Sequence, residues 1–201
     1  MNQDLSACVR EILQDREPRR IPDPKVDFVH AGVLIPLLEQ EGEPRILFTR
    51  RSRKVEHHKG QISFPGGVVE PDDPSLKATA LREAREEIGL FEKDVEILGR
   101  LDDARTISTG YIVHPFIGSV PHPYDYVLSE REVDEILLIP LSVFHPENTR
   151  TRGDRYEHRG EIMETPTYRC NGDVIWGATA RIMENLMRIL VEKIDLPLGG
   201  G

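Results

Sequence analysis

The 201-residue sequence has little cysteine and no long hydrophobic run. Its two cysteines, Cys8 and Cys170, are too few for a disulfide framework and lack the spacing of a metal site, so we expect two reduced thiols. No apolar run approaches the roughly 20 residues that span a bilayer, and the N-terminus lacks the apolar core of a signal peptide. These absences predict a cytoplasmic protein that does not insert into a membrane.

A basic excess is also missing, because 26 Lys and Arg residues are set against 35 Asp and Glu residues, for a formal net charge of −9. General nucleic-acid binding depends on a basic surface, so this composition argues against it. A small anionic substrate stays compatible, since a metal ion and a few local cations can dominate the field inside one cleft. The composition leaves open whether the chain forms a homodimer.

The chain length suits one main domain with short additions at its ends. Residues 1–24 are predicted to form a short amphipathic helix and then a proline-rich linker, because apolar residues between positions 5 and 13 have helical spacing. Residues 25–193 are expected to form the main domain, and residues 194–201 a disordered tail. Predicted strands alternate with two substantial helices, which indicates a layered α/β domain.

One segment, residues 63–90, organises this domain. Its Gly66-Gly67 pair is predicted to break a strand, because glycine tolerates backbone angles that other residues avoid. Asp73-Pro74 has the form of an N-cap followed by proline at the first helical position. A helix is therefore predicted over residues 75–88, with Gly89 ending it.

Three glutamates of that helix, Glu83, Glu86 and Glu87, have the spacing i, i+3 and i+4 and share one arc. Carboxylates at this spacing repel one another on a bare helix, and a cation beneath them reverses the effect. Mg²⁺ or Mn²⁺ suits such a cluster, since hard divalent ions prefer oxygen ligands. The alternative is a solvated acidic face that Arg82 and Arg85 partly neutralise.

The same segment resembles the Nudix box, G-x5-E-x7-R-E-U-x-E-E-x-G-U, in which U is an aliphatic residue. Gly67 matches the first glycine, and REAREEIGL at residues 82–90 matches the second half. Asp73 stands in place of the first glutamate, and eight residues rather than seven separate it from Arg82. Both departures resemble the coenzyme A pyrophosphatase branch of the Nudix family.

A second match to that branch lies in a basic loop at residues 50–59. The branch pattern, L-L-T-x-R-S-x3-R-x3-G-x3-F-P-G-G, is similar to LFTRRS at 47–52, followed by Gly60 and by FPGG at 64–67. Glu56 stands where the pattern has its second arginine. The loop lies next to the box, so its cations are expected near a bound diphosphate, although a charge run is commonly just a solvated surface.

The resemblance implies a Nudix α/β/α sandwich, with a mixed β-sheet between helices. It also implies hydrolysis of a nucleoside diphosphate-linked substrate with Mg²⁺ or Mn²⁺ as cofactor. Coenzyme A or acyl-coenzyme A is the implied substrate, giving 3′,5′-ADP and (acyl-)4′-phosphopantetheine. A Nudix pyrophosphatase for ADP-ribose or a dinucleotide is the alternative, and a non-catalytic nucleotide-binding regulator is a third, which the intact glutamate set disfavours.

The resemblance also assigns roles to individual residues. The implied metal ligands are Glu83, Glu86 and Glu87. The implied catalytic residues are Arg82, which orients Glu86, then Glu86 itself, and Glu132 in a late loop as general base. Glu86 and Glu135 are the alternatives for that base, and Glu132 could equally be a solvated residue before a strand. The residues expected to contact substrate are Arg50, Arg51, Gly66 and Gly67.

Outside the box, periodicity predicts further elements. Apolar residues at 28–38 and 45–50 predict a hairpin. A strand over 111–120 is expected to break at Pro115, and residues 149–158 and 164–170 are expected to pair as a polar hairpin. An amphipathic helix is predicted to end near residue 191, with Trp176 before it and Met183 and Met187 within it as core residues.

Overall fold

The computed structural model describes residues 4–23, 25, 27–53, 60–106, 110–148, 154–158, 161–194 and 196. The predictions for Glu56, for most of the basic loop and for residues 197–201 lie outside these residues. The described helices are α1 (Leu5–Gln14), α2 (Leu76–Ile88) and α3 (Gly177–Val191), with short 3₁₀ helices at Glu92–Asp94 and Leu141–Phe144. None of the described helices is both long enough and apolar enough to cross a membrane.

Eight strands of the described residues form the central sheet. They are β1 (Val29–Gln40), β2 (Glu43–Arg51), β3 (Ile62–Ser63), β4 (Gly66–Val68), β5 (Glu96–Arg100), β6 (Ala104–Arg105), β7 (Tyr111–Ser119) and β8 (Val133–Pro140). The order is β3-β2-β1-β7-β5, while β4 pairs with β1, β6 with β7 and β8 with β2. Strands β1 and β7 are parallel and the other pairs are antiparallel, so the sheet is mixed as predicted.

The sheet lies between two helical layers. Neighbouring residues of β1 point to opposite faces, so that Leu34 packs with α2 and Ile35 packs in the core that α1 and α3 cover. On the first face, α2 contributes Ala80, Ala84 and Ile88. The predicted α/β/α sandwich is therefore confirmed.

Two predicted strand features differ from the structure. Strand β7 is continuous through Pro115, whose carbonyl accepts a hydrogen bond from the Leu101 N–H at 3.0 Å. The polar segments form two hairpins instead of one: β9 (Asp154–His158) with β10 (Glu161–Thr165), and β11 (Tyr168–Cys170) with β12 (Asp173–Ile175). Asn171 and Gly172 join β11 to β12 with φ of 52° and 89°, the left-handed pair that a tight two-residue hairpin turn requires.

The start of α2 also corrects the prediction. Ser75 is the N-cap, since its side chain accepts a hydrogen bond from the Ala78 N–H at 3.2 Å. Asp73 and Pro74 lie before the helix. The glycine pair does not break a strand either, because both glycines belong to β4 and pair with β1. Gly89 ends the helix as predicted, with φ of 70°.

Helix α1 and the linker after it are fastened to the sheet by Asp102. This side chain is 7% exposed and accepts hydrogen bonds from the Arg16 guanidinium, the Arg19 N–H at 2.7 Å and the Asn185 amide at 3.0 Å. Burial alone raises the pKa of Asp102, but these hydrogen bonds outweigh burial and lower the pKa to about 2. The network joins the N-terminal segment to α3 through one carboxylate.

Replacing Asp102 by Asn should lower the free energy of unfolding at pH 7 by about 2–4 kcal/mol, because it leaves Arg16 without its buried partner. A lowered folded-state pKa stabilises the protein above the unfolded value of 3.8. The difference between wild type and variant should therefore shrink as the pH falls from about 4 to 2. Denaturant titrations across this range measure it.

The matched control is Asp15→Asn, the same chemical change at an exposed residue after α1. It should alter stability by less than about 0.5 kcal/mol. Equal losses in the two variants, or a loss for Asp102→Asn that does not depend on pH, would contradict the assigned role.

Candidate active site

The Arg82 guanidinium is the centre of the candidate site. Its Nε and Nη2 donate to the two carboxylate oxygens of Asp73 at 2.9 and 3.0 Å, and Nη2 also donates to the Val68 carbonyl at 3.0 Å. Its Nη1 donates to Glu83 at 2.9 Å and to Glu86 at 3.1 Å. One planar cation thus holds the loop before α2 and two glutamates of the helix.

Asp73 closes the loop between β4 and α2. Besides Arg82, it accepts hydrogen bonds from the Thr79 hydroxyl and the Glu70 N–H, each at 2.9 Å. The Arg82 hydrogen bonds, with those from Glu70 and Thr79, hold the pKa of Asp73 well below its usual range. Its local sequence, Asp-Pro, indicated a helix cap and so missed this role. The alignment of Asp73 with the acidic position of the box was the signal for it.

Glu87 is a buried carboxylate with too few partners. It is 4% exposed, the Gly66 N–H bonds to it, and the Arg51 guanidinium lies 3.9 Å from its Oε1. Its Oε2 is buried, and none of the described residues forms a hydrogen bond with it. The pKa of Glu87 is raised to about 8, first by burial and also by the charges of Glu83 and Glu132, against the opposing charge of Arg51.

Glu83 lies against the glycine strand β4. A Cβ atom added to Gly67 would lie 2.3 Å from the Glu83 Oε1, so only glycine allows this approach. Burial raises the pKa of Glu83 although Arg82 opposes it, and the charges of Glu86 and Glu132 contribute to the rise. The negative charges of α2 and of the late loop therefore act on one another.

The loop that carries Glu132 is bonded directly to the glutamate helix. The Ser129 N–H donates to the Glu87 carbonyl at 2.9 Å, and the Val127 N–H donates to the next helix carbonyl at 3.0 Å. The Glu132 carbonyl accepts a hydrogen bond from the Ser52 N–H at 2.8 Å. The backbone thus fixes Glu132 between α2 and the end of β2.

The two predicted arginines separate onto opposite faces of β2, as consecutive strand residues do. Arg51 faces Glu87. Arg50 instead donates from Nε to Glu135 at 2.9 Å and from Nη2 to Asp173 at 2.9 and 3.0 Å. The pKa of Arg50 is raised, first by the hydrogen bond to Glu135 and also by Asp173. Arg50 and Glu135 therefore belong to a second ion-pair group beside the glutamate cluster.

Whether the site suits a metal depends on its uncompensated charge. Among the described residues, no three His, Cys, Asp or Glu side chains converge closely enough to hold an ion, because Glu83 and Glu86 share Arg82 instead. The orphan oxygen of Glu87 and the mutual effect of Glu83, Glu87 and Glu132 nevertheless leave negative charge in a largely buried place. These oxygen donors fit a hard divalent cation.

Comparison with known proteins supports the interpretation of this fold and segment. A model of the NUDIX domain matches residues 29–158. An uncharacterized Nudix hydrolase NudL of Enterobacter sp. is 38% identical over 162 residues, 78% of this chain and 80% of the relative. The NudL of Photorhabdus laumondii is 37% identical over 172 residues, 84% and 87% of the two chains.

Among solved structures, a MutT/nudix family protein from Enterococcus faecalis superposes with a TM-score of 0.55. The superposition covers 93% of this chain and 70% of that protein, at 13% identity, so this likeness concerns the fold alone. The domain match and the two relatives extend the assignment to the sequence, and the chain therefore belongs to the Nudix family.

Proposed function

We propose that the protein is a metal-dependent pyrophosphohydrolase of nucleoside diphosphate-linked compounds, with coenzyme A or acyl-coenzyme A as substrate. The carrying observation is Glu87, a buried carboxylate crowded by Glu83 and Glu132, for which Arg51 is the one opposing charge found among the described residues. Like charges at such positions destabilise a protein unless a cation joins them. A nucleotide-binding regulator has no use for this arrangement, which supports an enzyme.

The metal ligands in this proposal are Glu83, Glu86 and Glu87. A bound Mg²⁺ or Mn²⁺ supplies charge neutralisation at the diphosphate and lowers the pKa of the attacking water. Arg82 holds two of these carboxylates at fixed positions and acts through them. Gly66 and Gly67 are proposed to contact the substrate through their backbone, since the space that a side chain would need at Gly67 is filled by the Glu83 carboxylate.

Glu132 is the proposed general base. Its charge raises the pKa of both Glu83 and Glu87, so its carboxylate lies within electrostatic reach of the metal ligands. Glu135 bonds to Arg50 in the second ion-pair group, and Glu86 bonds to Arg82. Among the described residues, Glu132 is thus the candidate whose charge acts on the cluster and for which no arginine partner is found. It would accept the proton that the attacking water loses.

The coenzyme A assignment rests on the two sequence patterns and on Arg51. The Arg51 side chain is 30% exposed and its Nη1 lies 3.9 Å from Glu87, beyond hydrogen-bond distance, so the end of its guanidinium can contact a phosphate. Arg50 is engaged by Glu135 and Asp173, so it would act by positioning β12. Water added across the diphosphate of coenzyme A gives 3′,5′-ADP and 4′-phosphopantetheine.

Glu83→Gln and Glu87→Gln should each reduce turnover by about 10²–10³-fold, because each removes a charge that stabilises the reacting diphosphate through the metal. Each should also weaken Mn²⁺ binding measured by calorimetry. The melting temperature should not fall, since each change relieves like-charge repulsion. Glu92→Gln, at an exposed glutamate outside the cluster, is the matched control and should change none of these values. Near-normal turnover of both site variants at saturating Mg²⁺ would refute the metal assignment.

Glu132→Gln should lower kcat by about 10²–10⁴-fold and leave Mn²⁺ affinity nearly unchanged, because a general base acts on the proton rather than on the metal. The acid limb of the pH–rate profile should disappear with it. Glu135→Gln is the comparison variant and should have a much smaller effect, since Glu135 bonds to Arg50. An unaltered profile in Glu132→Gln would transfer the role to Glu86 or Glu135.

A substrate panel tests the proposed function as a whole. Coenzyme A, its 3′-dephospho form and ADP-ribose should be compared with Mg²⁺ and with Mn²⁺, with products identified by mass. We expect the highest kcat/KM for coenzyme A, because an arginine fork suits the additional 3′-phosphate. A clear preference for ADP-ribose would overturn the coenzyme A assignment and leave diphosphate hydrolysis standing. No cleavage of any compound would overturn the hydrolase proposal.

A further inference from the structure

Thr79 is a buried polar residue of α2 that no sequence pattern singled out. Its side chain is fully buried against Gly32 of β1, where an added Cβ atom would come within 3.0 Å of the Thr79 Cβ. Glu83, one helical turn later, lies in the same way against Gly67, which is the partner of Gly32 in the pairing of β1 with β4. The two glycines thus let this face of α2 lie directly on the sheet.

The hydroxyl of Thr79 has two acceptors within reach. It lies 2.9 Å from Oδ2 of Asp73 and 3.3 Å from the Ser75 carbonyl, which already accepts a hydrogen bond from the Thr79 N–H at 3.0 Å. Since a hydroxyl has a single hydrogen, the shorter contact to an ionised carboxylate is the stronger one. The Glu70 N–H donates to the same oxygen from the loop before the helix. The Thr79 hydroxyl is therefore a donor that joins Asp73 to the buried face of α2.

Asp73, Thr79 and Arg82 form a closed ring of hydrogen bonds. The Asp73 side chain is 5% exposed, and its two oxygens accept from Nε and Nη2 of Arg82 as well as from Thr79. Thr79 and Arg82 are one turn apart on the same helix, so the ring closes through the backbone of α2. The carboxylate cannot turn without losing a bond to a buried donor. The remaining nitrogen of the guanidinium holds Glu83 and Glu86, whose positions therefore depend on the ring.

We propose that Thr79 is a positioning residue of the metal site, whose hydroxyl orients the Asp73 carboxylate and through it the Arg82 guanidinium. This inference rests on the proposed function, since it takes the glutamates that Arg82 holds to be metal ligands. Thr79 is not a catalytic residue, because it acts through two other side chains. Groups that orient metal-binding side chains typically change metal affinity by about 10- to 100-fold when they are removed, which makes the effect measurable.

The ring can be tested in the metal-free protein. Thr79→Val removes the hydroxyl and keeps the branched shape of the buried side chain. The Arg82 Nε–H, which donates to Asp73, should then exchange with solvent about 10-fold faster, because its acceptor has lost one of the hydrogen bonds that hold it. Nuclear magnetic resonance of isotope-labelled protein measures this rate, with the signal assigned by its loss in Arg82→Lys. Thr79→Ser, which keeps the hydroxyl, should exchange as the wild type does. An unchanged rate in Thr79→Val would refute the ring.

Calorimetric titration with Mn²⁺ tests the effect on the metal site. Thr79→Val should raise the dissociation constant of Mn²⁺ by about 10- to 100-fold, and Thr79→Ser should restore most of the affinity. Thr179→Val is the matched control, because it makes the same change in the first turn of α3, a helix that covers the other face of the sheet; it should leave the dissociation constant unchanged. A lower melting temperature of Thr79→Val with wild-type Mn²⁺ affinity would show a purely structural role and overturn the inference.

A double-mutant cycle tests the route through Asp73. In an Asp73→Ala background, Thr79→Val should change the Mn²⁺ dissociation constant by less than about 2-fold, because the acceptor through which the hydroxyl acts is absent. Full additivity of the two substitutions would contradict this route, since the hydroxyl would then act independently of Asp73.

The outcomes distinguish this inference from the proposed function. Weaker Mn²⁺ binding by Thr79→Val in a protein that hydrolyses none of the panel compounds would keep the positioning role and remove the hydrolase assignment. Wild-type turnover and wild-type Mn²⁺ affinity in Thr79→Val would remove the positioning role and keep the hydrolase.

Discussion

The guanidinium of Arg82 is the constraint on which the site depends, because it bonds at once to the loop before α2 and to two glutamates on the helix. Both carboxylate oxygens of Asp73 accept hydrogen bonds from Arg82 and so fix the plane of the guanidinium. That plane in turn determines where Glu83 and Glu86 can bind it. A lysine could not do this, since a point charge on a flexible stem lacks the planar fork. The carboxylates are thus preorganised by a residue that need not touch the substrate.

Burial gives the remaining glutamate its chemistry. Glu87 lies beneath the backbone of Gly66, where water cannot screen it, and its pKa rises to about 8. Such a group holds a proton or pairs with a cation near neutral pH. Arg51 lies 3.9 Å away, too far for a hydrogen bond, so it weakens the effect without cancelling it. The fold therefore buries the Glu87 carboxylate with little compensating charge, at the box position proposed to bind the metal.

Local pattern was sufficient for a layered α/β domain and for the extent of α2, because each depends on short periodic spacing, whereas the α/β/α sandwich was predicted from the resemblance to the Nudix family. Local pattern failed for features that depend on contacts between residues distant in the sequence. Asp73 and Ser75 are both good caps in isolation, but Asp73 binds the distant Arg82 and Ser75 caps the helix. Trp176 resembled a core residue because it follows a buried strand, yet its neighbour Ile175 occupies the interior. The pairing of β11 with β12 was signalled by Asn171-Gly172, a turn pattern that the longer polar segment obscured.

The strand β2 carries a further consequence for substrate selection. Since Arg50 and Arg51 are consecutive, their side chains must leave the sheet on opposite faces, one toward Asp173 and one toward Glu87. A shift of β2 by one residue would exchange the two faces. Arg50 would then face the glutamates of α2, and Arg51 would face Asp173. The ladder of seven residue pairs with β8 opposes that shift, and its register is interrupted between these same two arginines by a bulge. The register of this single strand therefore determines which of the two arginines faces the glutamates of α2.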